Sequence, residues 1–251
     1  MNKVSECIDT VEMVCCCGKK FTTVKLSGIE LSGCLCDECR EKQEHEEMKT
    51  QKHEYINKCN NILERRFGVR YREADFKHIN TNYFENRNFI LQTIPFLQGI
   101  ADSQYYIISL VGDRGTGKTY LAACIIRQYL ENRQSWEYKY CKPFLDKYKS
   151  YFWGNSIEKH EIADEVKKMK KAKILILDEI DKIKSNTEDI SILYDIINER
   201  YNNLLKTVLI GNVKKGVDSF EKIFGYSLAD RINSVDSKVI YFSGESIRQR
   251  M

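Results

Sequence analysis

The chain has 251 residues, 30% of them charged, only two prolines and a formal net charge of +4. That length holds one full α/β domain plus a small module, and no apolar stretch reaches membrane-spanning length, so a soluble, helix-rich, cytoplasmic protein with no membrane partner is expected. The charge is too small to identify a nucleic-acid partner by itself, and residues 1–20 lack the basic, apolar, small-residue order of a secretion signal.

Ten cysteines in a chain of this character argue for metal rather than disulfides. Seven of them lie in residues 1–39. Cys15-Cys16-Cys17-Gly18 is followed by β-prone Phe21 to Leu26, then by Cys34-Leu-Cys36-Asp-Glu-Cys39. Cys36 and Cys39 have C-x₂-C spacing, and the interval back to Cys17 suits a zinc ribbon. Four thiolates in tetrahedral array would fold a segment too small to build its own core. Cys15, Cys17, Cys36 and Cys39 are the candidate zinc ligands. Cys16 and Cys34 stand as alternatives, because the first pair departs from C-x₂-C. The competing reading is a set of unpaired thiols on a tail. Residues 1–40 are therefore expected to form a zinc-binding module. Cys7, Cys59, Cys124 and Cys141 read as structural.

Residues 41–66 are charge-rich and contain no glycine or proline. Met48, Tyr55, Ile56, Cys59, Ile62 and Leu63 form a partial helical stripe, which predicts a linking helix. Such a helix docks on a partner or on the following domain, or stands as a solvated linker. The larger domain is expected over 67–251. Asn82 to Gly99 reads as an amphipathic helix carrying Phe84, Phe89, Ile90, Ile94 and Leu97.

Tyr105 to Val111 is a short apolar run, as a buried strand should be. Gly112-Asp113-Arg114-Gly115-Thr116-Gly117-Lys118-Thr119 then matches G-x-x-x-x-G-K-[ST] at every specified position. Lys118 onward has helical spacing through Leu121, Ile125 and Leu130. The glycines thus sit between strand and helix, where backbone N–H groups can face phosphate oxygens at a helix N-terminus. Lys118 is expected to reach the β- and γ-phosphates, and the Thr119 hydroxyl to ligate Mg²⁺. An ordinary glycine turn would leave this agreement of motif and context unexplained.

Tyr138 to Cys141 is a candidate second strand. From Phe144 to Trp153, Lys147 and Lys149 alternate with Phe144, Tyr148, Tyr151, Phe152 and Trp153. Interleaved lysines and rings suit single-stranded nucleic acid, whereas rings on a helix more often pack against a sheet. Lys167, Lys168, Lys170 and Lys171 read as a solvated helix face. Ile174 to Leu177 is continuously apolar, as in a central parallel strand. Asp178 emerges at its carboxyl end, where ligands of open α/β sheets bind, and is expected to hold Mg²⁺ through water. Glu179 is placed to polarise an attacking water. The chain contains no Asn-Lys-x-Asp guanine-reading motif, so ATP fits better than GTP. Thr207 to Ile210 is a further strand, ending at Gly211-Asn212. Asn212 either orients water near a γ-phosphate or belongs to a common turn. Val239 to Phe242 reads as the last strand.

These residues resemble the AAA+ helicase loaders of the DnaC and DnaI type, with the transposition helper ATPase IstB close by. The resemblance covers about residues 67–251. It rests on Arg70-Tyr-Arg-Glu-Ala-Asp-Phe76, Leu193-Tyr-Asp-Ile-Ile-Asn-Glu-Arg-Tyr201, Leu228-Ala-Asp-Arg-Ile232 and Glu245-Ser-Ile-Arg248. The cysteine cluster is similar to the zinc-binding, helicase-contacting domain of DnaI-like loaders. The resemblance implies a P-loop fold with a five-stranded parallel sheet flanked by helices, without a C-terminal lid. It implies that Asn212 senses the γ-phosphate and that Arg231 is an arginine finger for a neighbouring subunit's ATP site. Arg248 becomes a second contact to nucleotide or DNA. The implied partners are a hexameric replicative helicase, single-stranded DNA and further copies of the chain. There are departures. Ile-Gly-Asn212 replaces the Thr-Ser-Asn common in these relatives, and Asp178-Glu179 replaces their frequent Asp-Asp. Two other readings stay open. One is a transposition helper assembling on duplex DNA, and the other an adaptor that binds ATP without hydrolysing it. A second motor domain, which a DNA helicase would need, has no counterpart here.

Overall fold

The computed structural model describes residues 9–25, 35–151, 156–183, 187–214 and 220–247. Cys7, Cys34, Phe152, Trp153 and Arg248, each singled out above, lie outside them. The chain divides into two compact units, Met1–Lys58 and Cys59–Met251.

The first unit is a hairpin followed by a helix. β1 (Asp9–Val14) and β2 (Lys20–Lys25) pair antiparallel, with Val14 opposite Lys20 and Met13 opposite Phe21. Their turn is closed by the Cys15 N–H donating to the Lys19 carbonyl at 2.9 Å and the Gly18 N–H to the Cys15 carbonyl at 2.8 Å. The hairpin carries little apolar burial among the described residues: Val14 is 63% exposed and Cys15 is buried, as is Cys36 just before the helix that follows. α1 (Asp37–Phe67) follows, with Asp37 and Glu38 in its first turn and Arg65 and Arg66 in its last. Each charge sits at the end of the helix dipole that favours it. Met48 on this helix is exposed, while Cys59 and Leu63, in the second unit, are buried.

The second unit is a parallel sheet of five strands in the order β4-β5-β6-β3-β7. These are β3 (Ile107–Gly112), β4 (Trp136–Tyr140), β5 (Ile174–Asp178), β6 (Lys206–Gly211) and β7 (Ser237–Phe242). Every pairing between them is parallel. The helices are α2 (Arg87–Gln98), α3 (Lys118–Glu131), α4 (Cys141–Ser150), α5 (Ser156–Lys171), α6 (Thr187–Asn202) and α7 (Phe220–Ile232). β3, β5 and β6 are buried along their whole length, because helices cover both faces of a parallel sheet. Alternation still sorts their side chains. Ile108, Leu110, Ile174, Ile176, Val208 and Ile210 join Leu121 and Ile125 of α3 in one core. Ile107, Val111, Leu175, Leu177 and Leu209 join residues of α6 and α7 in the other.

Several elements differ from expectation at their ends. The helix expected from Asn82 starts at Arg87, since the Asn86 side chain caps it by accepting the Phe89 N–H at 3.0 Å. β7 begins two residues early, at Ser237, because it pairs residue for residue with β3 from Ile107. The ring-and-lysine stretch on α4 packs inward. Phe144 is buried, Tyr148 and Tyr151 lie against the α6–α7 core, Lys147 pairs with Glu165 and Lys149 with Asp189. Cys59, Cys124 and Cys141 are all buried. Arg200 of α6 is fully buried and donates to Thr207 Oγ1 and to the carbonyls of Met169, Ala172 and Lys206. It ties the ends of α5 and β6 together, and burial pushes its guanidinium pKa down to about 10.

Candidate active site

The loop 112–119 leaves the carboxyl end of β3, and α3 starts at Lys118. Two glycines are required by close approach. A Cβ on Gly112 would stand 2.0 Å from the Phe242 carbonyl oxygen, and one on Gly115 would stand 2.1 Å from Ser246 Oγ. Both residues have positive φ, as does Gly117. The loop is also tied to the chain beyond β7. Asp113 N–H donates to the Phe242 carbonyl, Gly244 N–H to Asp113 Oδ2, and Ile247 N–H to the Gly115 carbonyl. Lys118 is 6% exposed, and its Nζ donates to the carbonyls of Gly112 and Asp113 and to Thr116 Oγ1. Burial pushes its pKa down to about 8, against the pull of Asp178, Asp181 and Asp113. A cation held only by neutral oxygens is ready to transfer to phosphate.

β5 delivers Asp178 beside this loop. Its Oδ2 accepts the Thr119 hydroxyl at 3.0 Å, and its Oδ1 accepts the Glu179 N–H at 2.7 Å. With its hydrogen committed to Asp178, the Thr119 hydroxyl keeps lone pairs free. The two side chains offer hard oxygens of the kind that could hold magnesium, directly or through water. Burial raises the Asp178 pKa, and donors from Tyr138, the Glu179 backbone and Thr119 oppose the rise. Glu179 has φ 58 and ψ 40, a left-handed conformation that costs a non-glycine residue about 1–3 kcal/mol. Its carboxylate pairs with Lys182 at 2.7 Å. Asn212, just past β6, is held by Asp181. Its backbone N–H and its side-chain Nδ2 donate to the two Asp181 oxygens at 2.9 and 3.0 Å.

Lys118, Thr119, Asp178, Glu179, Asp181 and Asn212 line one cleft of about 470 Å³. Its polar end is formed by Arg114 to Thr119, Asp178, Glu179 and Asn212, and its other walls by Tyr71, His78, Tyr83, Phe84 and Ile247. The profile of the ATPase family associated with various cellular activities (AAA) matches residues 108–237, more than half of the chain. The chain belongs to the AAA family.

No curated protein matches this AAA chain by sequence. Among solved structures it is similar to the DnaC helicase loader, at 17% identity and TM-score 0.56, over 69% of this chain and 99% of that one. DnaI is similar at 18% identity and TM-score 0.55, over 70% of this chain and 91% of DnaI. A DNA replication initiation factor is similar at 18% identity and TM-score 0.54, over 69% of this chain. Only 50% of that longer protein is covered, so this chain spans about half its length. At these identities the likeness is one of fold.

The AAA unit brings together Lys118, Thr119, Asp178, Glu179 and Asn212. It does not bring Arg231 to them. Arg231 lies on α7, with its guanidinium 5.1 Å from the centre of the Tyr201 ring and 5.8 Å from that of Tyr194. Asp181, Tyr138 and the aromatic walls were not singled out from sequence. Asp181 carried a weak signal as the third acid of Asp178-Glu-Ile-Asp181. The short 3₁₀ turns at Val69–Tyr71 and Thr81–Tyr83 carry no periodic pattern at all.

In the first unit, Cys15, Cys17, Cys36 and Cys39 place one Sγ each within 4.8 Å of one another. The Cys17 and Cys36 sulfurs are 3.7 Å apart, close to the ~3.8 Å edge of a tetrahedron with Zn–S bonds of about 2.3 Å. Backbone N–H groups of Cys17 and Cys36 lower the Cys15 pKa to about 6, while the other thiols raise that of Cys39. One thiol already inclined to ionise and three within reach fit a zinc ion. Cys16 is exposed, its sulfur 3.8 Å from that of Cys15. No helix among the described residues is long and apolar enough to cross a membrane.

Proposed function

We propose that this chain is an ATP-dependent loader that places a hexameric replicative DNA helicase on single-stranded DNA. What supports the reading is the conjunction of a four-thiol unit with an AAA unit whose fold spans 99% of the DnaC helicase loader. In this reading residues 1–40 hold zinc and contact the helicase, 41–66 link, and 67–251 bind and hydrolyse ATP in the cytoplasm. Lys118 and the backbone of the 112–119 loop bind the phosphates. Thr119 and Asp178 hold magnesium, which supplies charge neutralisation at the phosphate oxygens. Glu179 accepts hydrogen from the attacking water, and Asn212, fixed by Asp181, faces the terminal phosphate. Arg231 lies outside its own cleft and serves the site of a neighbouring copy. Hydrolysis then depends on assembly. Zinc, held by Cys15, Cys17, Cys36 and Cys39, supplies the fold of a segment that has little core.

The test is a loading reaction. A closed hexameric helicase is mixed with circular single-stranded DNA, this chain and ATP, and helicase retained on the circle is measured. Retention that needs both the chain and ATP is expected. Retention unchanged by the chain would reject the loader reading, and stimulation of turnover by duplex alone would favour the transposition helper.

A further inference from the structure

Three donors reach Asp178, and only two of them belong to the nucleotide motifs. Oδ1 accepts the Glu179 N–H at 2.7 Å, and Oδ2 accepts the Thr119 hydroxyl at 3.0 Å. The third donor is the Tyr138 phenol, 2.8 Å from the same Oδ2. Tyr138 comes from β4, which is brought alongside β5 by a parallel pairing that sets Tyr138 opposite Ile176 and Tyr140 opposite Asp178. Strand order, not the motif, supplies this contact.

The phenol is built to stay where it is. Tyr138 is 1% exposed. The Phe67 ring lies 4.3 Å away at 54°, and the Tyr140 ring meets it nearly edge-on at 5.2 Å. The Tyr138 hydroxyl is directed at Asp178 Oδ2, to which it donates. Phe67 is the last residue of α1, and its neighbour Arg66 lies over the Trp136 ring at 5.8 Å. Trp136 and Tyr138, two apart on β4, share one face of the strand. The final turn of α1 therefore backs the tyrosine that grips Asp178.

We propose that Tyr138 is a positioning residue for the metal carboxylate, clamped by Phe67 and holding Asp178 Oδ2 alongside the Thr119 hydroxyl. The inference rests on the reading that Thr119 and Asp178 hold magnesium. Partners that orient a metal ligand set the metal's affinity without touching it. Deleting a donor to a buried carboxylate leaves an acceptor short of a partner, at a cost.

The test is a magnesium titration of ATP turnover by the full chain, beside nucleotide binding measured without metal. Tyr138→Phe removes one oxygen and keeps the ring. It is expected to raise the magnesium concentration for half-maximal turnover about tenfold, with metal-free nucleotide affinity unchanged. Phe67→Ala should move the same midpoint in the same direction by less. Asp178→Asn checks the underlying reading and should abolish the magnesium response. If Asp178→Asn loses the response while Tyr138→Phe titrates like the parent, the positioning role is wrong and the metal reading stands. If Asp178→Asn titrates like the parent, both fall. A Tyr138→Phe chain that loses metal-free affinity as much as magnesium response has a collapsed site, which also overturns the proposal.

Discussion

The two units of this chain are held together by different physics. Cys59–Met251 carries two apolar clusters, one on each face of its sheet, with Ile108, Leu110, Ile174 and Ile176 on one side and Ile107, Val111, Leu175 and Leu177 on the other. Among the described residues, the hairpin of the first unit shows no such layer. Val11 and Val14 face solvent, and the buried groups are two of the four clustered thiols. A unit with a core folds on its own account. A hairpin of this size without one needs a crosslink.

Metal removal should separate the units most sharply. Structural zinc contributes about 10–16 kcal/mol to folding a small domain. A chelator should therefore make Cys15, Cys17, Cys36 and Cys39 reactive towards an alkylating reagent, while buried Cys59, Cys124 and Cys141 stay protected. Mass analysis of the labelled chain reads both at once. Equal labelling of both groups would erase the contrast. A second effect concerns whether the larger unit, which carries its own core, is also self-sufficient in chemistry. Arg231→Ala should leave nucleotide binding intact and lower turnover about a thousandfold or more. Mixing it with Lys118→Ala protein should restore part of the activity if Arg231 is a finger, because one variant keeps the cleft and the other keeps the arginine. No restoration at any mixing ratio would place the arginine's role elsewhere.

Arg200→Ala is expected to cost the larger unit about 3 kcal/mol or more, since it orphans the carbonyls of Met169, Ala172 and Lys206 in a dry site. Denaturant midpoints measure it, and the thiol cluster's labelling should not change. The smallest effect is on pH. Lys118 titrates near 8 in the free protein because burial disfavours its charge, and bound phosphates raise that value. Binding therefore takes up a proton above pH 8. Nucleotide affinity should be flat below pH 8 and fall by up to about tenfold per unit above it. An isothermal titration series from about pH 7 to about pH 10.4, which spans the free and ordinary lysine values, would show the break.

The nucleotide loop was legible because every specified position carries its own steric or electrostatic demand, and Asp178 because a continuous apolar run can only end at a sheet's carboxyl edge. The α/β class was legible in the strand–loop–helix context of the motif, whereas the five-stranded parallel sheet was implied by the family resemblance. What could not be read depends on which strands become neighbours. Tyr138 meets Asp178, 40 residues on, only because β4 lies beside β5. Asp181 meets Asn212 across 31 residues for the same kind of reason. The aromatic walls come from irregular turns, where no periodicity reports burial. Composition alone left two readings of the lysines and rings between Phe144 and Tyr151, and the commoner one holds: the rings pack inward and Lys147 and Lys149 are paired with acids.

The loader reading assigns the helicase contact to the thiol unit and the chemistry to the AAA unit, and one measurement tests that division directly. Native mass spectra would be recorded for a hexameric replicative helicase mixed with ATP, magnesium and either the zinc-loaded chain or its Cys36→Ser variant. A stoichiometric complex with the first and free hexamer with the second, both chains binding nucleotide equally, is the predicted result. Intact hexamer that takes up neither chain would contradict the account.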